Sequence, residues 1–472
     1  MSHGGSSNSK TAAKLDFKKV LPIFVIVLVD LMGLTLILPL LPLYTTAFGA
    51  NALTIGIIAA AFPTMQFLAS PILGSLSDRF GRKPVLVISQ IGTFIGFLML
   101  GFANALPLLL LSRVIDGISG ANIVTAQAAI TDSTTDENRA QGLGLIGAAF
   151  GIGFVIGPAI SGVALALTGN DYRVPAFMAA AFSFMSIMLT LFWFDETLSD
   201  ENRAKQLKTK KAPLPTRIYR ALTNPLLSIL MILMFVQQLV FGGFEQLLPL
   251  FTLSRIGLDG AGNAVMFVFM GVIIVAVQGR YMGVLSRKFG EQNLIYGGLA
   301  LLALGLIMAS LAPQIPVNWY EREALIASFE GTAALGSESV AQEINIPLPE
   351  NGNNGWLGLA WVYLAMIPAS IGGTIISPSI NSLLTRRTDP AEAGSVLGVS
   401  SSLYSAANAI TPLIGGVIFQ FLGVSAPFMI GGIILLIMLA VATQTLPNSD
   451  KPKLDLSAQE LAVISGDDRD FS

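Results

Sequence analysis

The 472-residue chain contains no cysteine, and its single histidine, His3, lies in a polar N-terminal tail. These absences exclude disulfides, thiolate nucleophiles and cysteine-based metal sites, and any proton handled in an apolar interior must ride on a carboxylate. Charge is scarce as well. Only 12% of residues are charged and the formal net charge is -2, against 53% hydrophobic residues. There is no P-loop lysine motif. Gly142, Gly144 and Gly147 spell G-x-G-x-x-G, but no strand precedes them and they enter an apolar helix, so nucleotide chemistry is not expected there. No enzymatic activity, cofactor, metal or nucleic-acid partner is expected.

What is present is hydrophobic length. The mean hydropathy is +0.70, and apolar runs of about 20 residues, enough to cross a bilayer as helix, recur from end to end. Backbone groups in lipid must be paired within the segment, so the expected fold is an all-α polytopic membrane protein. Twelve spans are predicted, near residues 20–43, 53–74, 84–104, 106–130, 141–167, 174–194, 224–250, 262–283, 292–312, 356–380, 394–420 and 424–446. The first run follows Lys10, Lys14, Lys18 and Lys19, yet it is too long for a cleaved signal core and reads as a retained span. Of the 27 Lys and Arg residues, 23 fall in the N-tail, the even-numbered turns and the C-tail. That distribution places both termini in the cytoplasm, and only Arg173, Arg255 and Arg322 on the external side.

The expected organisation is an N-tail (1–19), a first six-helix bundle (20–194), a basic cytoplasmic linker (195–223), a second bundle (224–446) and a C-tail (447–472). An external acidic segment, 313–355, interrupts the second bundle. The halves repeat each other. "GLGLIGAAFGIGFVIGPAISG" aligns with "SVLGVSSSLYSAANAITPLIGG" at an offset of 254, matching Gly144 with Gly398, Pro158 with Pro412 and Gly162 with Gly416. "GSLSDRFGRKPV" finds its echo in "GVLSRKFGEQNL" at an offset of 209, and the difference is about the size of the external segment.

"GSLSDRFGRKPV" resembles the signature between spans two and three of the major facilitator superfamily. "LLSRVIDGISGA" resembles that family's Arg-bearing motif in span four, and "GAAFGIGFVIGPAISG" its Gly-Pro antiporter motif in span five. "VLVDLMGLTLILPLLP" is similar to span one of twelve-span drug/proton antiporters, notably tetracycline exporters. The resemblance implies two pseudo-symmetric six-helix halves joined by the linker.

The residues have physical readings beside the resemblance. Gly74 and Gly81 supply backbone freedom for a tight reversal, while Arg79, Arg82 and Lys83 fix it in the cytoplasm. The resemblance implies a latch, with Asp78 near the N-terminus of span eleven and Arg82 on an acid that ends span four, Asp132. Applying the two offsets carries Arg82 to Glu291 and Asp132 to Arg386, so a sign-exchanged pair, Glu291 with Arg386, is expected when the cytoplasmic side is closed. Asp30, in the middle of span one, costs about 2.5 kcal/mol or more to bury charged, so it should face a watery cavity and hold a cation, a proton or each in turn. Arg113 and Asp116 share a face of span four. The resemblance puts such an arginine at the proton-coupling centre. At the same offsets the second half carries Gln237, Ile367 and Ser370, so coupling is assigned to the first half, and Gln237, Gln238 and Glu245 are the pocket candidates. Gly147, Gly151, Gly153 and Gly157 fall on small-xxx-small spacings, and Gly157 with Pro158 forms the core of the antiporter motif.

The expected function is proton-coupled export of small amphipathic or drug-like compounds by alternating access. A nutrient symporter or facilitator, and a non-transporting receptor or scramblase, remain as alternatives. The expected partners are a small-molecule substrate, protons and the lipid bilayer of the cell membrane, with the chain acting as a monomer.

Overall fold

A computed structural model of the protein describes residues 17–135, 138–199, 203, 223, 225–333, 344–388 and 393–446. Both tails and most of the 195–223 linker therefore lie outside the described residues, as do Glu338 and Glu343 of the external segment.

The first half comprises α1 (Phe17–Ile37), α2 (Leu41–Ala47), α3 (Ala52–Phe80), α4 (Arg82–Gly101), α5 (Leu106–Ser119), α6 (Asn122–Asp132), α7 (Arg139–Thr168) and α8 (Arg173–Phe192). Span one is thus α1, with α2 restarting on Pro42, whose missing N–H is not needed in a first turn. Span four is broken between α5 and α6 at Gly120. The second half comprises α9 (Pro225–Ile256), α10 (Gly260–Ala276), a π turn (Val277–Tyr281), α11 (Met282–Ser310), α12 (Arg322–Ala333), α13 (Leu357–Arg386), α14 (Ala393–Leu422) and α15 (Ala426–Thr445).

Eleven of the described helical stretches are long and apolar enough to cross a membrane. One of them, Gly260–Ser310, runs for 51 residues and bends at Gly290, where φ is +74°. At 1.5 Å per residue it is about 77 Å long, more than twice a bilayer core of about 30 Å. It therefore holds two crossings, consistent with twelve in all.

One expectation is corrected here. The reversal between spans two and three does not begin at Gly74, because residues 74–80 continue α3 and only Gly81, at φ +108°, turns the chain. Gly81 and Gly290 are repeat mates 209 residues apart, and both need the positive φ that glycine alone adopts freely.

The packing is duplicated as the repeat requires. Within the halves, α1 packs on α7 and α8 as α9 packs on α14 and α15, and α4 packs on α5 and α8 as α11 packs on α13 and α15. Between the halves, α7 packs on α10 and α3 on α14. Small residues make the second kind of contact possible. A Cβ on Gly162 would meet Ala264, and one on Gly416, its mate at 254, would meet the backbone of Ala52 and Gly56. Because the two interfaces interchange under the offsets, a pseudo-twofold axis relates the halves.

At the ends that carry the acidic segment the halves touch closely. Ala52 N–H donates to Gln420 Oε1 at 3.0 Å, and Asn170 Nδ2 donates to Asp259 Oδ2 at 3.0 Å. The external segment adds a cap. It is tied to the second half by Val317 N–H to Ile256 O at 2.9 Å, and Tyr320 O–H donates to Pro349 O at 2.8 Å. It reaches the first half through Asn345 Nδ2 to Gly49 O at 2.7 Å, and through Phe329 of α12, which stacks on Tyr172 with centroids 6.1 Å apart. Toward the opposite, basic ends the contact between α7 and α10 loosens. A Cβ on Gly151 of α7 would lie 3.3 Å from Val275 of α10, whereas one on Gly147, Gly144 or Gly279, further along the same helices, would meet nothing within 4 Å.

Candidate functional site

Between the halves lies a cavity of about 610 Å³ whose wall includes Asp30, Arg113, Asp116, Gln237, Gln238 and Glu245. Among the described residues, Arg113 is the only basic one in that wall, against three carboxylates. Aromatic and amide side chains complete it, among them Phe62, Phe241, Tyr404 and Asn408. Such a lining of apolar surface with a few convergent polar groups is the usual character of a small-molecule pocket.

The two acids of the first half are held differently. Asp30 Oδ2 accepts a hydrogen bond of 2.8 Å from Asn122 Nδ2, while Oδ1 is buried with no partner. Asp116 is locked to Arg113 by a 3.0 Å ion pair, both residues being 2% exposed or less. Arg113 also lies over Phe97, with Cζ 5.5 Å from the ring centroid, and its Nη2 is buried without a partner. The guanidinium thus retains a free donor beside the cavity. In the second half Gln237 Oε1 is buried and unpartnered, and Gln238 Nε2 donates to Asn408 Oδ1 at 2.8 Å.

The span-five glycines take separate places. Gly147 and Gly151 line the cavity. A Cβ on Gly157 would overlap the Thr35 hydroxyl of α1, so that glycine permits the α1–α7 approach, and Thr35 Oγ1 also donates to Gly153 O at 2.9 Å. Pro158 lies within α7, its carbonyl accepting from Ser161 Oγ at 3.1 Å.

The charged turn forms a compact network. Arg82 is 1% exposed and donates to Asp132 Oδ2 at 2.8 Å, to Asp78 Oδ1 at 2.6 Å and to Ser77 Oγ at 2.7 Å. Arg79 is exposed and lies over Phe80. The expected place of Asp78 beside the start of span eleven adjoins residues 389–392, which lie outside the described residues. In the second half Arg386 Nη2 lies 2.9 Å from Glu291 Oε1, which also accepts from Ser286 and Ser382 at 3.0 Å. Arg82 and Glu291 are repeat mates, and so are Ser77 and Ser286. One buried position therefore holds a cation in one half and an anion in the other, and the same serine accepts in the first and donates in the second. Each pair lies within its own half. The expected Glu291–Arg386 pair is thus present in this structure.

Several contributors escaped the sequence reading. Glu196, taken as part of a solvated linker, accepts from Arg82 N–H and Lys83 N–H at 2.9 and 3.1 Å and so caps the N-terminus of α4. Asn122 was missed as the partner of Asp30, although it directly follows the Gly120 break in an otherwise apolar span.

A cavity enclosed between two repeated helical bundles defines a membrane transporter. The chain belongs to the Major Facilitator Superfamily, whose family model matches residues 23–341 and 355–466, the gap between them falling in the acidic segment. It is 28% identical over 452 residues to the class B tetracycline resistance protein of Escherichia coli, covering 92% of this chain and 98% of that one. It is 26% identical over 425 residues to multidrug resistance protein 2 of Bacillus subtilis, covering 89% and 94%. Among solved structures, the human organic anion transporter MFSD10 (TETRAN) superposes with a TM-score of 0.61 at 22% identity, covering 90% of this chain and 99% of that one.

Proposed function

We propose that this transporter is a proton-coupled antiporter that exports small amphipathic, drug-like compounds from the cytoplasm, with both termini cytoplasmic and bundles at 20–194 and 224–446. The observation that carries the reading is the cavity wall, in which three carboxylates face one arginine already paired to Asp116. Asp30 is the acid whose second oxygen has no protein partner. A proton or a cationic group of the substrate can neutralise it, but not both together, and exclusive occupancy of one acid is sufficient for exchange. Arg113 then responds to the charge on the neighbouring acids through its free Nη2 donor. The relatives named for tetracycline and multidrug resistance support a drug-like substrate.

The test uses everted membrane vesicles energised with an inside-acid gradient and tetracycline as the first probe, followed by a panel of cationic dyes. Antiport predicts accumulation inside the vesicles that collapses when the gradient is dissipated. Accumulation that ignores the gradient, or that requires it reversed, favours a facilitator or a symporter instead.

A further inference from the structure

A second cavity, of about 400 Å³, lies at the external face, remote from the central one. Its wall is made by Ser254 and Arg255 at the end of α9, by Gln314 and Pro347 of the cap, and by the turn 422–426 that leads into α15. The polar groups here are donors in search of an acceptor. Ser254 is 2% exposed and its hydroxyl has no hydrogen-bond partner, and Nε of Arg255 is likewise buried and unpartnered. The N-terminus of α15 borders the same space; Ser425 makes no side-chain cap, Ala426 N–H donates to Gly423 O at 3.1 Å and Pro427 has no N–H, so the helix contributes its dipole there rather than a row of open donors. The contrast with Arg173 is informative, because that external arginine is fully engaged by Asp171 through two contacts of 2.9 Å.

The position fixes the kind of anion. Leu422, in the cavity wall, is 65% exposed and the adjacent Phe421 is 73% exposed, so this lip faces lipid. Trp319 and Trp356, stacked edge-on with centroids 5.7 Å apart and both more than half exposed, mark the headgroup level on the external side. A guanidinium, a hydroxyl and a helix N-terminus together suit a tetrahedral oxyanion with several acceptor oxygens. We propose that this pocket binds a phosphate group, supplied by the headgroup of an anionic lipid or by free phosphate, and that the bound group ties the cap to the ends of α9 and α15.

The full chain, purified in uncharged detergent, provides the test. One arm adds inorganic phosphate alone, the other adds phosphatidylglycerol in mixed micelles, and both are read by thermal unfolding and by native mass spectrometry. Wild type is expected to gain stability and to retain one ligand in at least one arm. A response to phosphate alone identifies a free anion, and a response to the lipid alone identifies the headgroup. Arg255→Gln should weaken retention about tenfold, the loss of a charge-assisted contact. Should that variant fold poorly, Gln314→Glu decides: its carboxylate supplies an internal partner for Arg255, so the unliganded protein is at least as stable as wild type and gains nothing from either probe. Arg322→Gln, which lies outside the pocket, should respond as wild type does. Equal responses of wild type, Arg255→Gln and Gln314→Glu in both arms overturn the proposal.

Discussion

Asp30 and Asp116 illustrate how unlike neighbours decide what a buried acid can do. Asp116 is held in a buried ion pair with Arg113, whereas Asp30 has only the Asn122 amide and one empty oxygen. Replacing Asp30 by Asn keeps the size and hydrogen-bonding capacity of the side chain but removes its charge. Gradient-driven accumulation in everted vesicles should be abolished while the protein still folds and inserts, and wild-type uphill export in that variant would remove Asp30 from the coupling role. For Arg113 the relevant change is to Lys, which keeps the charge and loses the planar fork that holds Asp116 while leaving Nη2 free. Transport should fall sharply, and an unchanged rate would mean that charge alone suffices. Asp30, Arg113 and Asp116 stood out in the sequence because a charge inside an apolar span is costly and therefore rare. Asn122 and Glu196 did not, because a neutral amide or a linker acid carries no such cost, and their partners are 92 residues away for Asn122 and 114 for Glu196 when paired with Arg82. Only the folded packing brings them together.

At the scale of elements, the repeat offsets foretold which charges meet but not how deeply each sits. Arg82 is 1% exposed and carries three side-chain contacts, while Arg386 is 64% exposed and lies on a buried Glu291. Removing one member of an ion pair costs about 3–5 kcal/mol where the charge left behind is buried and has no other support. Losing Arg82 strips both Asp132 and Asp78 of their shared cation, whereas Glu291 keeps its bonds from Ser286 and Ser382 when Arg386 is lost. Arg82→Ala should therefore lower thermal stability severely and Arg386→Ala only slightly, as measured by unfolding in detergent. Comparable losses would show that the support left to the carboxylates does not set the cost. Glu291→Arg places two cations together and should impair folding or transport, and adding Arg386→Glu should relieve the defect. The apolar runs told the spans apart well. The end of α3 was misplaced because Ser75, Ser77 and Asp78 read as a loop, although Ser77 bonds Gly74 O, Asp78 accepts from Arg82 and the helix continues to Phe80.

At the scale of the whole molecule, the two ends of the paired bundles are packed differently, one being clasped across the halves and the other not. The ends that carry the acidic segment are clasped through Gln420, Asp259 and the cap, whereas beyond the Gly151–Val275 approach Gly147 and Gly144 of α7 face open space. The proposed export cycle requires the reverse state, in which the clasp opens and the opposite ends meet. The cap raises the threshold for that change. The Phe329–Tyr172 stack alone is worth about 1 kcal/mol, so Phe329→Ala should shift the balance toward the outward-facing state about fivefold. A chain without cysteine allows both states to be trapped with no background. Asn345→Cys with Ala50→Cys spans the cap and the first half next to the Asn345–Gly49 contact, and Gly144→Cys with Gly283→Cys spans the basic end of α7 and the start of α11. In the conformer described, the first pair is near and the second apart. A short bifunctional thiol reagent should join the first pair when the cavity faces the cytoplasm and the second pair only when it faces outward. Conditions that raise one yield should lower the other, Phe329→Ala should favour the second, and either cross-link should stop transport. If both pairs join in the same molecule, or if cross-linked protein still exports, the halves do not rock about the central cavity and alternating access fails for this chain.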